Sequence, residues 1–150
     1  MPEIRPEIRF YHLQTQSVDQ ALPGLAARAF EGGKRLALRL RDASEIKRVD
    51  EALWTFNPNS FIPHSASGDA ADNPVWLQLG AANENSADTL ISSVVDDTDY
   101  EGFSLVCLMF EGRDEAALTA ARARWKALKD SGAELTYWQQ TPQGGWDKKA

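Results

Sequence analysis

The feature that most constrains the fold is an almost unbroken apolar run from Phe103 to Phe110. A strand with one face in water alternates apolar and polar residues, whereas a strand covered on both faces is apolar nearly throughout. The run therefore predicts a central strand with a layer of structure on each side. Cys107 lies within this run, and we expect its thiol to be a small core side chain rather than a reactive group.

Strand and helix patterns alternate along the chain. The predicted strands cover residues 8–13, 36–40, 74–79, 90–95, 103–110 and 133–140. The predicted helices run from an N-cap at Ser17 to Gly32-Gly33, from Ala43 to Phe56, and from Asp114 to about Lys129, with Pro23 expected to disturb the first of them. This rhythm predicts an α/β fold: a single-domain three-layer sandwich, Rossmann-like, with a mostly parallel central sheet and helices on both faces. Residues 1–7 and about 141–150 are expected to be flexible tails.

Composition narrows the classes of function. The 150 residues suit one domain, and the single cysteine, which allows no internal disulfide, fits a reducing cytosol. With neither a signal region nor an apolar stretch of bilayer length, we expect a cytoplasmic protein with no membrane contact. The net charge of −6 argues against a broad basic surface, so any DNA contact is expected to be indirect.

Signs of catalysis are weak. Gly32-Gly33-Lys34 follows a predicted helix, whereas a phosphate-binding loop follows a strand and opens a helix, so the glycines indicate a helix stop. His12 ends the first strand, where α/β proteins bind ligands, although a lone histidine there is more often structural. Two histidines and one cysteine cannot close a zinc site without carboxylates. We therefore expect no catalytic residues, no metal and no cofactor.

The segment from Asp50 to His64 carries a dense set of aromatic and proline side chains. A predicted helix ends there, with Leu53 on its inward stripe and Trp54 to the side, and a loop with Phe61, Ile62 and Pro63 follows. Such a set either plugs the core or forms an apolar patch that binds a partner. Composition alone favours the core plug. His64, taken by itself, is typical of a loop histidine.

The same segment resembles the signature of the chi subunit family of bacterial DNA polymerase III. Asp50-Glu51, Leu53-Trp54, and Ser60-Phe61 followed by an aliphatic residue, Pro63 and His64 stand in the family's order and spacing. Shorter matches extend the resemblance over nearly the whole chain; they are Phe10 to Leu13, Gly33 to Arg35, Pro74-Val75, Phe110 and Arg122 to Lys126.

The resemblance implies a non-catalytic accessory subunit of a DNA-directed DNA polymerase that acts in DNA replication. Chi proteins bind the psi subunit, which links them to the clamp loader, and the acidic C-terminal tail of the single-stranded-DNA-binding protein. Carried over by position, the residues facing psi are Trp54, Phe61, Pro63 and His64. For these four residues, the resemblance implies a surface that binds a partner instead of a plug of the core.

The predicted helix from Asp114 carries two stripes. One is apolar and the other is cationic, formed by Arg122, Lys126 and Lys129, with Trp125 on the border. By itself the pattern favours a solvated basic face. The resemblance implies instead that these four residues bind the acidic tail, with Arg122 at its terminal carboxylate. Chi proteins can carry a further basic residue one turn earlier, where this chain has Leu118, so we expect a shorter cationic stripe.

Two other functions stay open on the sequence. Strand–helix alternation and His12 are compatible with a small nucleotide-binding enzyme on a Rossmann-like fold. Direct binding of single-stranded DNA through Trp and Arg stacking is the other alternative, which the acidic charge balance disfavours.

Overall fold

The computed structural model describes residues 6–55, 62–98, 100 and 102–150. Within these ranges the elements follow one another as β1 Glu7–Leu13, α1 Val18–Glu31, β2 Leu36–Arg39, α2 Ala43–Thr55, a short 3-10 helix Ala70–Asp72, β3 Val75–Gln78, β4 Thr89–Ser92, β5 Leu105–Glu111, α3 Glu115–Asp130, β6 Glu134–Gln140 and β7 Trp146–Lys148.

The strands form one sheet in the order β3-β2-β4-β5-β1-β6-β7. Every neighbouring pair is parallel except β6 and β7, which are antiparallel. Strand β5 lies at the centre, and its residues 106–110 are buried. The predicted three-layer α/β sandwich with a mostly parallel sheet is confirmed.

The direction of each crossover decides which face of the sheet its helix covers. The connections through α1 and α2 run toward the β3 edge, whereas the connection through α3 runs toward β6. Because such crossovers are right-handed, helices on connections running in opposite directions lie on opposite faces. The core divides accordingly, with α1 and α2 packing around Leu38 and Met109, and α3 packing around Phe10 and Leu108.

Two elements differ from the sequence prediction. Helix α1 continues through Pro23, which is buried within it, and its first turn is held by Gln20, whose side-chain oxygen accepts a hydrogen bond from the Ser17 N–H at 3.0 Å. The segment expected to be a flexible tail contains strand β7, because Trp146 packs edge-on against Tyr11 with ring centroids 5.0 Å apart. The predicted end of the second helix, Phe56, lies outside the described residues.

A fully buried carboxylate joins α2 to the end of β4. Glu45 accepts hydrogen bonds from the Arg41 backbone N–H and Nε, both at 2.9 Å, and from the Ser93 hydroxyl. Burial opposes ionisation of Glu45, but the hydrogen bonds from Arg41 and Ser93 outweigh it and lower the pKa of the carboxyl. The ionised side chain thus fixes the start of α2 against the sheet.

Within the described ranges, no helix combines the length and the apolar content needed to cross a bilayer.

Replacing Glu45 with glutamine should destabilise the fold. Glu45→Gln leaves donors of Arg41 without a charged acceptor, so we expect a loss of about 1–3 kcal/mol in the free energy of unfolding at pH 7, measured by urea denaturation. Glu51→Gln, on the exposed side of the same helix, should change it by less than about 0.5 kcal/mol. Because the folded-state pKa of Glu45 is lowered, its contribution is present above the unfolded pKa and is lost as the pH falls through the folded pKa. A parent–variant difference that did not shrink in acid would contradict this account.

Candidate functional site

Helix α3 presents one side to the core and another to solvent. Asp114 begins it by accepting hydrogen bonds from the N–H groups of Ala116 and Ala117 at 3.0 and 3.2 Å. Ala121 is buried, and the partly buried residues beside it are Leu118, Trp125 and Leu128. The exposed cationic residues on the adjoining side are Arg122, Lys126 and Lys129. The structure thus places the two predicted stripes side by side, with Trp125 between them.

Trp125 is held by aromatic contacts from two strands. Its ring meets Phe10 of β1 edge-on at a centroid distance of 5.2 Å and Tyr137 of β6 at 5.5 Å. Phe10 also stacks on Tyr137 at 6.3 Å. Trp125 and Tyr137 are both half-buried, so their remaining surface faces solvent next to the cationic stripe. We call the set of Arg122, Trp125, Lys126, Lys129 and Tyr137 the α3–β6 surface.

His12 fixes the hydroxyl of Tyr137. The His12 Nδ1 lies 2.7 Å from the Tyr137 oxygen, and the imidazole ring packs on Phe110 at 5.1 Å. A side chain at position 112 would collide with this ring, because a Cβ on Gly112 would lie 1.8 Å from the His12 Nε2. The glycine therefore makes room for the imidazole at the end of β5. Together these contacts hold Tyr137 in a single orientation.

The positive charge of Arg122 acts on both His12 and Tyr137. Burial lowers the pKa of His12, and the positive charge of Arg122 lowers it further. Burial raises the pKa of Tyr137, and the same guanidinium counteracts part of that increase. Arg122 therefore lies on the flank of α3 that faces His12 of β1 and Tyr137 of β6.

Arg124 points to the other flank of α3. Its guanidinium donates to the Thr98 carbonyl at 3.0 Å and lies 5.2 Å from the centre of the Tyr100 ring. This arginine ties α3 to the loop before β5. It therefore has a structural role and does not belong to the cationic stripe.

The second predicted surface lies at the end of α2, on the opposite face of the sheet. His64 is buried against this helix: its Nδ1 is 2.7 Å from the Ile62 carbonyl oxygen, and its Nε2 is 3.2 Å from the Asp50 carbonyl and 3.1 Å from the Asp50 carboxylate. The imidazole thus fastens the chain that follows residue 61 onto α2. This anchoring role was not predicted from the sequence, which by itself indicated a loop histidine and, through the family resemblance, a residue that faces psi.

Trp54 covers the buried imidazole. Its indole ring lies 4.7 Å from the His64 ring, yet 54% of Trp54 is exposed. Pro63 is half-buried, and Phe61 lies outside the described residues. We call Trp54, Pro63 and His64 the Trp54 patch. The core-plug interpretation applies to Ile62, which is 3% exposed, and the surface interpretation applies to Trp54.

Comparisons with known proteins agree on one family. A sequence profile described as DNA polymerase III chi subunit, HolC, matches residues 6–136. DNA polymerase III subunit chi of Haemophilus influenzae is 30% identical over 125 residues, which cover 81% of this chain and 87% of that protein. The chi subunits of Pseudomonas aeruginosa and Escherichia coli are 32% identical over 113 residues and 27% over 122 residues, covering 74% and 79% of this chain and 78% and 83% of theirs.

The chain belongs to the DNA polymerase III chi subunit family. The family assignment made from the Asp50 to His64 segment is therefore confirmed. Chi is an accessory subunit of the polymerase complex, which places this chain in DNA replication with protein partners inside the holoenzyme.

Two acidic side chains, Glu111 and Asp114, lie in the cleft at which a nucleotide-binding α/β protein would hold its ligand. A cleft of about 250 Å³ lies at the carboxyl ends of β4 and β5, near the first turns of α1 and α3. The Glu111 carboxylate accepts from the Val18 N–H at 3.5 Å, Asp114 caps α3, and Arg41 is paired with Glu45. The carboxylates of Glu111 and Asp114 thus accept hydrogen bonds from N–H groups at the N-termini of α1 and α3, which would otherwise be available to a phosphate. The two carboxylates make this cleft a poor fit for a phosphate group.

Sequence reasoning missed Tyr137 of the α3–β6 surface and His12, which contacts the Tyr137 hydroxyl. Tyr137 was predicted only as part of the strand over residues 133–140, and His12 as a lone histidine at the end of the first strand. One signal was available: Phe10 and His12 lie two residues apart and therefore on the same face of β1. Pairing them with Tyr137 and with α3 required the order of strands in the sheet.

The lowered pKa of His12 predicts a pH-dependent loss of stability. The ordinary pKa of histidine is about 6.5. When the pH falls below this value, His12 takes up a proton in the unfolded chain before it does so in the folded chain, and this stabilises the unfolded state relative to the folded state. The His12 contribution is therefore full above that pH and declines as the pH falls toward the folded-state pKa. Urea denaturation at pH 7.5 and 5.5 should show a larger fall in the parent than in His12→Gln. Equal falls in the two proteins would refute the assignment.

Proposed function

We propose that this chi family member is a cytoplasmic connector that binds the acidic C-terminal tail of the single-stranded-DNA-binding protein at the α3–β6 surface and the psi subunit, and through it the clamp loader, at the Trp54 patch. The observation that carries the proposal is the exposed side of the Trp125–Tyr137 pair directly beside three cationic side chains. An acidic peptide that ends in an aromatic residue requires both an apolar contact and positive charge.

The two kinds of contact contribute differently to affinity. Burying a phenylalanine side chain contributes roughly 1.5–3 kcal/mol, whereas an exposed ion pair contributes about 0–1 kcal/mol. A terminal phenylalanine packed on Trp125 would therefore supply most of the affinity. The charges of Lys126 and Lys129 would set orientation and association rate. Arg122 can hold a carboxylate with two parallel hydrogen bonds, which suits the end of the peptide.

The Trp54 patch has the features of a binding surface that is already organised. His64 holds the segment from Ile62 onward against α2, so Trp54 and Pro63 need little rearrangement when a partner arrives. Exposed tryptophan is a frequent centre of binding energy because it buries a large rigid area. An apolar helix or loop of psi would cover the exposed part of the indole.

Removing Arg122 should weaken binding of an acidic peptide that ends in Pro-Phe. Arg122→Ala removes a charge-assisted hydrogen bond, so we expect the Kd measured by calorimetry to rise about tenfold or more. Arg113→Ala removes the same charge from an exposed position before α3 and should leave the Kd nearly unchanged.

Full affinity in a variant that combines Arg122→Ala with Trp125→Ala would refute the site. The parent affinity should also decrease with salt, although less steeply than for a protein that neutralises many phosphates. An oligonucleotide mobility shift that persisted at physiological salt without any partner would instead favour direct binding of single-stranded DNA.

Truncating Trp54 should weaken the complex with psi. Because interface tryptophans often contribute 2 kcal/mol or more, Trp54→Ala is expected to raise the Kd roughly thirtyfold in a titration with the psi subunit. Leu79→Ala is the matched control, since Leu79 is 48% exposed and lies at the end of β3 outside the patch. Equal binding by the two variants would show that psi contacts another surface. Peptide binding at the α3–β6 surface should be the same in both.

A further inference from the structure

Strand β7 adds an edge to the sheet beside the α3–β6 surface. It pairs antiparallel with β6 through Trp138 and Lys148, Gln139 and Asp147, and Gln140 and Trp146. The pairing continues one residue further, because the Lys149 N–H donates to the Tyr137 carbonyl at 2.7 Å and the Tyr137 N–H donates to the Ala150 carbonyl at 3.2 Å. Lys149 is therefore the cross-strand neighbour of Tyr137.

The alternation of side chains along β7 determines which way Lys149 points. Trp146 packs on Tyr11 at 5.0 Å, within the core that α1 and α2 cover. Successive residues of a strand point to opposite faces, so Lys148 shares the face of Trp146, whereas Asp147 and Lys149 face the α3 side. Tyr137 faces the same side, since it contacts Trp125.

The cation of Lys149 therefore lies on one side of Tyr137, and helix α3 lies on the other. Side chains of directly paired residues on one face have Cβ atoms about 5 Å apart, which brings the base of Lys149 against the Tyr137 ring. Arg122 and Lys126 approach from the helix. A chain lying along β6 would then meet positive charge from both sides, and the carboxylate of Asp147 would lie two residues further along the β7 side.

We propose that β7 forms a second wall of the peptide site and that Lys149 is a further binding residue for the acidic side chains of the peptide. The inference rests on the proposed function, because it takes an acidic peptide as the occupant of the α3–β6 surface. Lys149 offsets the shorter cationic stripe of α3, in which Leu118 stands one turn before Arg122. Its role is to attract and align the acidic residues that precede the terminal phenylalanine.

Two neighbouring lysines allow a matched test. Lys149→Glu and Lys148→Glu introduce the same change at adjacent exposed positions that face opposite sides of the sheet. With an acidic peptide ending in Pro-Phe, calorimetry should show about a three- to tenfold higher Kd for Lys149→Glu and less than a twofold change for Lys148→Glu. Lys149→Arg keeps the charge and should bind like the parent.

A second peptide distinguishes an effect of the Lys149 charge from an effect of the substitution on the structure of the site. When the acidic residues are replaced by their amides and the Pro-Phe end is kept, Lys149→Glu and the parent should bind equally, because only the acidic side chains meet Lys149. If the parent binds the acidic peptide, Arg122→Ala weakens it and the two lysine variants are equal, the second wall is refuted and the proposed function stands. If the parent does not bind the acidic peptide, the proposed function itself is refuted.

Discussion

Burial of β5 on both faces is the constraint from which the rest of the structure follows. The strand is hydrogen-bonded to β4 and β1, and its apolar side chains alternate between the core under α1 and α2 and the core under α3. Leaving either face in water would expose several large apolar side chains, at roughly 1.5–3 kcal/mol each. Two covering layers are therefore required, and right-handed crossovers assign α3 to the layer opposite α2. The α3–β6 surface and the Trp54 patch consequently lie on opposite faces.

The α3–β6 surface arises where the sheet is wider than the layer that covers it. Helix α3 packs on β5 and β6, and strand β7 extends the sheet beyond them. In the described part of the chain no further helix lies over this edge. Tyr137 and Trp125 therefore remain half-exposed, although each contributes to the core. The aromatic contacts that stabilise the fold thus also provide the apolar floor of the surface.

The fold was largely predictable from the sequence because its signals are local. The apolar run of β5 and the periodicity of α3 depend on neighbouring residues alone, and they identified buried elements correctly. The Trp54 patch was located through a family resemblance, since composition could not separate the exposed Trp54 from the buried Ile62. Strand β7 and the His12–Tyr137 pair were missed for a different reason. The His12–Tyr137 pair joins distant parts of the chain and depends on strand order, which short-range patterns do not contain. Strand β7 pairs with β6, its near neighbour in sequence, but the contact that buries its Trp146 is with the distant Tyr11.

The effect of charge on binding depends on which charged residues lie near the α3–β6 surface, and not on the net charge of the chain. The net charge is −6, yet the α3–β6 surface gathers Arg122, Lys126 and Lys129 on one flank, and Arg124 is directed away from it. At physiological ionic strength the Debye length is about 8 Å, so a short peptide on this surface responds to the nearby cations and little to the acidic remainder. A nucleic acid longer than that distance would extend beyond the three cations of a chain whose net charge is negative, so few of its phosphates would be neutralised. This distribution of charge supports the proposal of a short acidic peptide, rather than DNA, as the occupant of the surface.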